Sequence, residues 1–204
     1  MRKEISEQKK ELFEFLDERV RKPSEREKID RIIKEKFERN LAVMVTDSAR
    51  FSLKTVQFGI VQFLSVLKRI NDQIRPIMRK NKGKILCEEA DNFVIVFKTT
   101  SNAINAGVEV NRYLRDYNSH ASQEDKFEIC IGIGYGPVLF VGDDVYGNEV
   151  NLASKLGEDI AEKGEILITE GVYDSIKEDF KFEIVKFKEI KISDVSFKYY
   201  SVKY

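Results

Sequence analysis

Apolar positions along this chain change period several times, and each change marks an element. In residues 1–40 they recur at helical spacing: Leu12, Leu16 and Val20 form one stripe, and Ile29, Ile32, Ile33 and Phe37 a second. Pro23 separates the two, and Ser24 with Glu27 reads as a capping box opening the second helix. Leu41 to Thr46 is a short apolar run of the kind a buried strand makes, ending on Asp47. Val56, Ile60, Phe63, Leu67 and Ile70 then predict a long helix from about Thr55 to Arg79, interrupted near Pro76. Two strands, Gly83 to Glu88 and Phe93 to Phe97, flank an acidic turn, and a helix follows over Ala103 to Tyr117. Phe127, Ile129, Ile131 and Ile133 alternate with smaller or polar residues, which predicts a strand, and Val138 to Val141 a separate one. The remainder reads as a helix from about Glu149 to Ala161, strand Ile166–Thr169, a short helix, and strands near Phe182–Phe187 and Phe197–Val202. This order predicts an α+β fold: a ferredoxin-like split βαβ core with additional C-terminal strands, preceded by a helical pair.

Composition sharpens that outline. The 204 residues are 42% hydrophobic, enough for a core, and carry 35 basic against 35 acidic side chains. A net charge of zero argues against a protein built around nucleic acid. The charges are not evenly spread, since 24 of the first 40 residues are charged. The expected division is therefore a charged helical segment, 1–40, for dimerisation or signal transmission, and a body, 41–204. The helical pair either packs on that body or pairs with a partner; short stripes leave both open. No apolar run approaches the ~18 residues of a membrane span, and the first residues lack the uncharged core of a signal peptide, so a cytoplasmic location is expected. Cys87 and Cys130 sit in strand-like runs without CxxC spacing, and His120 stands alone in a polar loop; a soft-ligand metal site is not expected.

Two aspartates have positions that chemistry could use. Asp47 lies where a buried strand leaves the sheet, and Asp91 in the turn of the next hairpin. In a split βαβ sheet these two places are neighbours, and paired carboxylates suit Mg²⁺ or Mn²⁺, which bind few protein ligands plus substrate phosphates. Each alone is an ordinary turn residue. Gly132, Gly134 and Gly136 lie two apart on one strand face and leave the backbone bare for close packing.

Five segments taken together are more specific: VTDSARF (45–51), EADNFVIVF (89–97), IGIGYGPV (131–138), DVYGNEVNLASK (144–155) and EILIT (165–169). In order and spacing they resemble the catalytic domain of the class III nucleotide cyclases, the adenylate and guanylate cyclase family. The resemblance implies that Asp47 and Asp91 hold two Mg²⁺ or Mn²⁺ ions, with the Ser48 carbonyl as a further ligand. It places Arg50 and Phe51 on the loop that approaches the phosphates. It implies that Cys87 and Asp144 read the base and that Asn151 orients the ribose. Lys155 stands where the family has an arginine for the transition-state phosphate, and Lys191 is the best match to the lysine for the terminal phosphates. The implied reaction is cyclisation of a nucleoside triphosphate, ATP before GTP or a pyrimidine nucleotide, in a homodimer with sites at the subunit interface. Arg50, Lys155 and Ile192 depart from the family pattern, so a catalytically silent nucleotide- or partner-binding module is the alternative.

Overall fold

The computed structural model describes residues 6–89, 91–176, 181–192 and 195–204. The chain opens with helix α1 (Glu7–Arg21), a short 3₁₀ turn (Pro23–Glu25) and helix α2 (Arg26–Phe37), which runs directly into strand β1 (Glu38–Ser48). Next come α3 (Phe51–Phe58), α4 (Ile60–Lys80), β2 (Lys84–Glu89), β3 (Asn92–Phe97), α5 (Thr100–His120) and β4 (Ile129–Val141). Strand β5 (Asp144–Tyr146), α6 (Asn148–Ser154) with a wider π turn (Lys155–Ile160), β6 (Ile166–Thr169), α7 (Glu170–Ser175), β7 (Glu183–Ile192) and β8 (Val195–Lys203) complete it. The sheet order is β2-β3-β1-β4-β6-β8-β7, with β5 hairpinned on β4. Strands β2, β3, β1 and β4 run antiparallel to their neighbours, as the split βαβ order requires, and β6 joins β4 in parallel. Among the described residues no helix is long and apolar enough to cross a membrane.

The sheet has two unequal faces. On one, Met44, Ile95, Phe97, Ile131, Ile133 and Ile166 pack under α4 and α5 in the main core. On the other, Val43, Val45, Val96 and Val138 form a smaller cluster with Leu86, covered by the short α6 through Ala153 and Val150 and by its π extension at Gly157. The N-terminal pair packs on the body: Leu12, Ile29, Ile33 and Phe37 bury against Val141 at the end of β4. Leu16 and Val20 of the first stripe are exposed.

Several sequence expectations need correction. The long helix breaks at Gly59, whose φ of 86° and ψ of 153° are unavailable to a helical residue, and not at Pro76. Pro76 lies on the solvent side of α4, where a missing N–H and an outward bend are tolerated while Ile74 and Met78 hold the buried side. Strand β4 is continuous through Pro137, and the reason lies in strand parity. The Ile131 N–H reaches Glu165 O beside β6, and the Tyr135 N–H, pointing the same way, goes to the Glu149 carboxylate at 2.9 Å. Residue 137 faces that side too, beyond the end of β6, so no donor is missed. Ser24 makes no cap; α2 begins after Glu25 without a side-chain cap bond. Ser6 does cap α1, its hydroxyl accepting from the Lys9 N–H.

Candidate active site

The glycine row decides how α6 sits. A β-carbon on Gly132 would stand 2.1 Å from Ala153 O and 2.5 Å from Gly157 N, and one on Gly134 would stand 2.5 Å from Glu149 O. The helix backbone therefore rests directly on the strand backbone, with Gly157 packed as closely over Val45 and Gly132. Glu149 braces this seat by accepting from Tyr135 N and from the Thr169 hydroxyl at 3.0 Å. Burial pushes its carboxyl above the usual glutamate range, against the pull of those two donors.

Across the sheet end from this helix lie the two aspartates. Asp47 closes β1 opposite Cys130 of β4, and Asp91 occupies the turn between β2 and β3. The buried Ser48 joins them: its hydroxyl donates to Asp91 Oδ2. Burial first, then the charges of Asp91, Glu158 and Asp159, push the Asp47 carboxyl up to about 6, opposed by its bond to the Ser48 backbone. Glu158 is raised as well, by burial and then by Asp159 and Asp91. Burial first, then the charges of Asp47, Glu165, Glu128 and Glu162, push the Cys130 thiol up to about 11. Among the described residues no cation pairs with Asp47 or Asp91. Beside them, Asn92 Oδ1 is buried without a hydrogen-bond partner.

This corner fits a hard divalent cation. Its donors are carboxylate oxygens and an orphaned amide oxygen, and its negative charge is uncompensated. Among the described residues no group of three or more His, Cys, Asp and Glu surrounds one point. An ion there would need substrate oxygens to complete its shell.

Arg50 follows with a left-handed backbone (φ 65°), a conformation that disfavours any residue with a β-carbon, and stands at the N-terminus of α3. Phe51 opens that helix, its ring edge-on to Phe63 with centroids 4.7 Å apart. Cys87 lies on β2 just past a register shift. Asp144 begins β5 and pairs with Lys9 of α1 at 2.6 Å. Asn151 and Lys155 lie one turn apart on α6 and its π extension, and Lys155 pairs with Asp159 at 2.6 Å. Lys191 is on β7, with its side chain outside the described ones.

The structure thus brings Asp47, Ser48 and Asp91 together, with Glu158 and Asp159 within electrostatic reach. No hydrogen bond or ion pair among the described residues joins Asn151 or Lys155 to them. Glu158, Asp159 and Glu149 were not picked out from the sequence. The i,i+4 spacing of Lys155 and Asp159 was a readable signal for one of them; nothing local marks Glu149 as a brace. Next to this region, Leu53, Val56, Ile60, Val61 and Leu64 leave one apolar side of α3 and early α4 in solvent, Val56 at 84% exposure.

Known proteins share this architecture. The adenylyl cyclase CyaB from P. aeruginosa superposes with a TM-score of 0.70 at 23% identity, over 81% of this chain and 94% of that one. The adenylate/guanylate cyclase/hydrolase from Silicibacter pomeroyi gives 0.69 at 19%, over 81% and 96%. The guanylate cyclase domain of RhGC from Catenaria anguillulae, in complex with GTP, gives 0.67 at 18%, over 81% and 97%. No curated protein matches the chain. A family profile described as the adenylate and guanylate cyclase catalytic domain matches residues 33–203, and the chain belongs to that family.

Proposed function

We propose that the chain is a metal-dependent nucleotide cyclase converting ATP to 3′,5′-cyclic AMP and pyrophosphate. In this reading residues 41–204 are the catalytic body and residues 1–40 a segment that transmits a signal to it. The observation that carries the proposal is the half-buried, uncompensated Asp47/Asp91 pair beside the N-terminus of α3. Two Mg²⁺ or Mn²⁺ ions held by Asp47, Asp91 and the Ser48 carbonyl would lower the pKa of the ribose 3′ oxygen and neutralise phosphate charge. That oxygen attacks the α-phosphorus in line, the bond to the β-phosphate bridging oxygen breaks, and pyrophosphate leaves. Free N–H groups at the start of α3, with Arg50 and Phe51, receive the phosphates. Asn151 orients the ribose, Lys155 meets the charge that spreads over the α-phosphate, and Lys191 holds the terminal phosphates. Asp144 reads the purine and Cys87 lines its edge.

Asn151 and Lys155 do not meet the aspartates of their own chain, which supports a homodimer whose two sites each combine the aspartates of one copy with α6 of the other. The exposed apolar side of α3 and α4 offers a surface for that pairing. A second reading, a silent nucleotide-binding module, draws on Lys155 engaged with Asp159 and on Arg50 held left-handed. Incubation with Mn²⁺ and each of ATP, GTP, CTP and UTP, with chromatography for cyclic monophosphates, separates the two. Cyclic AMP that vanishes in Asp47→Ala and in Asp91→Ala supports the cyclase; no product from any nucleotide sinks it, and cyclic GMP or a pyrimidine product moves the substrate.

A further inference from the structure

The first turn of α1 closes on the hairpin between β4 and β5. Gln8 Oε1 accepts from the Gly142 N–H at 2.8 Å, and Lys9 Nζ donates to Asp144 Oδ2 at 2.6 Å while interacting with Tyr146. Gly142 has a left-handed backbone (φ 65°), and a β-carbon there would stand 2.5 Å from the Ser6 hydroxyl, so the hairpin tip is shaped to this helix. Farther along, α1 is tied to α2 by Lys36 with Glu11 and, near its last turn, by the two-pronged Arg19–Asp30 pair. The matched family segment begins at residue 33, so Lys9 reaches Asp144 from outside it.

We propose that Lys9 is a lock: docked α1 holds the base-reading carboxylate in an ion pair and weakens nucleotide binding, and displacement of α1 releases it. This rests on the reading of Asp144 as the base contact. The competition follows from donor strength. A base offers Asp144 a neutral N–H, while Lys9 offers an ammonium, whose charge-assisted hydrogen bond is roughly twice as strong. The lysine therefore holds Oδ2 until it is drawn away. Apparent affinity falls with the fraction of molecules in the competent state, and a partly exposed ion pair shifts that fraction by a factor of about two to five. Because α1, α2 and β1 follow one another closely, a pull on the helical pair reaches the Asp144 hairpin without passing through the nucleotide.

The test uses the full chain with Mn²⁺ and titration calorimetry of 3′-deoxy-ATP and 3′-deoxy-GTP, which lack the attacking oxygen. Lys9→Met is expected to tighten binding of the preferred nucleotide about two- to fivefold, lower KM in step and leave kcat alone. Lys9→Arg should restore wild-type affinity, and in an Asp144→Asn background Lys9→Met should change nothing. Unchanged or weaker binding by Lys9→Met overturns the lock, as does an equal gain in the Asp144→Asn background. Asp144→Asn also separates the two layers. If it leaves the ratio of the two affinities unchanged, Asp144 does not read the base and the lock falls with that assignment. If it shifts the ratio while Lys9→Met has no effect, the lock alone falls.

Discussion

Replacing Gly132 by alanine tests the way α6 is placed. The new β-carbon would meet Ala153 O at 2.1 Å, Gly157 N at 2.5 Å and the Leu156 Cβ at 2.9 Å, all on or next to one helix backbone. None of these can turn aside as a flexible side chain would. Bringing the closest contact from 2.1 Å to an ordinary 3.4 Å lifts the helix by about 1.3 Å if β4 holds, and β4 is held by β1 on one side and β6 on the other. Overpacking of this kind costs about 2–3 kcal/mol. For a chain of this size that lowers Tm by about 5–10 °C. Asn151 and Lys155 ride on the lifted helix, and a displacement near 1 Å costs about a hundredfold in rate. Gly136→Ala is the milder comparison: its nearest neighbour is the Glu149 Cγ at 3.1 Å, a side-chain atom that has to give only a few tenths of an ångström, so its melting temperature should fall by less than half as much as that of Gly132→Ala. Thermal melts by circular dichroism and Mn²⁺-dependent turnover read both quantities. Wild-type stability in Gly132→Ala would refute the backbone-on-backbone seat. A lowered Tm with wild-type turnover would keep the seat and remove α6 from the chemistry.

Glu149→Gln keeps an acceptor for Tyr135 and Thr169 but removes a charge that burial disfavours. Because the folded pKa of Glu149 lies above the ordinary 4.5, its contribution to stability is greatest at acid pH and is lost as pH rises through the raised value. The variant should therefore melt higher than wild type at pH 8 and converge with it near pH 4; a lower Tm at pH 8 would contradict this account. Lys155→Arg adds a planar two-pronged donor at the assigned transition-state position and should raise kcat about tenfold with little change in KM; no gain counts against the role given to Lys155. Arg50→Gly relieves a left-handed arginine, a gain partly offset by the freedom of glycine in the unfolded chain, so stability should rise by about 0.5–1 kcal/mol. The same change should raise KM for the nucleotide if Arg50 meets phosphate, and steady-state kinetics with a melt distinguish the two effects.

What could be read from the chain depended on how local the cause was. Alternation at Ile129, Ile131 and Ile133 and the run Ile166–Thr169 marked their strands because each is buried on at least one face over its whole length. The continuity of β4 through Pro137 was not readable, since it depends on β6 ending early and on Glu149 serving Tyr135 from another element. Gly59 carries a readable break signal, but it falls inside an apolar helical spacing of five positions, two of which, Val56 and Ile60, are exposed. At the site, the turn positions of Asp47 and Asp91 in a split βαβ order were enough to make them neighbours. The acids Glu158 and Asp159 are close to them only because Gly157 lets the π turn settle onto Val45. The Lys9–Asp144 pair spans most of the chain, and no local pattern announces a contact of that separation.

Strand β1 carries one last consequence. Its first residue follows the final turn of α2, its tenth is Asp47, and it pairs with β4 along its whole length and with β3 from Ala42 to Thr46. Such an element can neither stretch nor creep. A slip of one residue would turn Val43 and Val45 toward the α4–α5 side and expel Met44 from it. The strand is a fixed post. Any motion of the helical pair must swing about that post, leaving Asp47 still while Lys9 is drawn off Asp144 at the rim of the sheet.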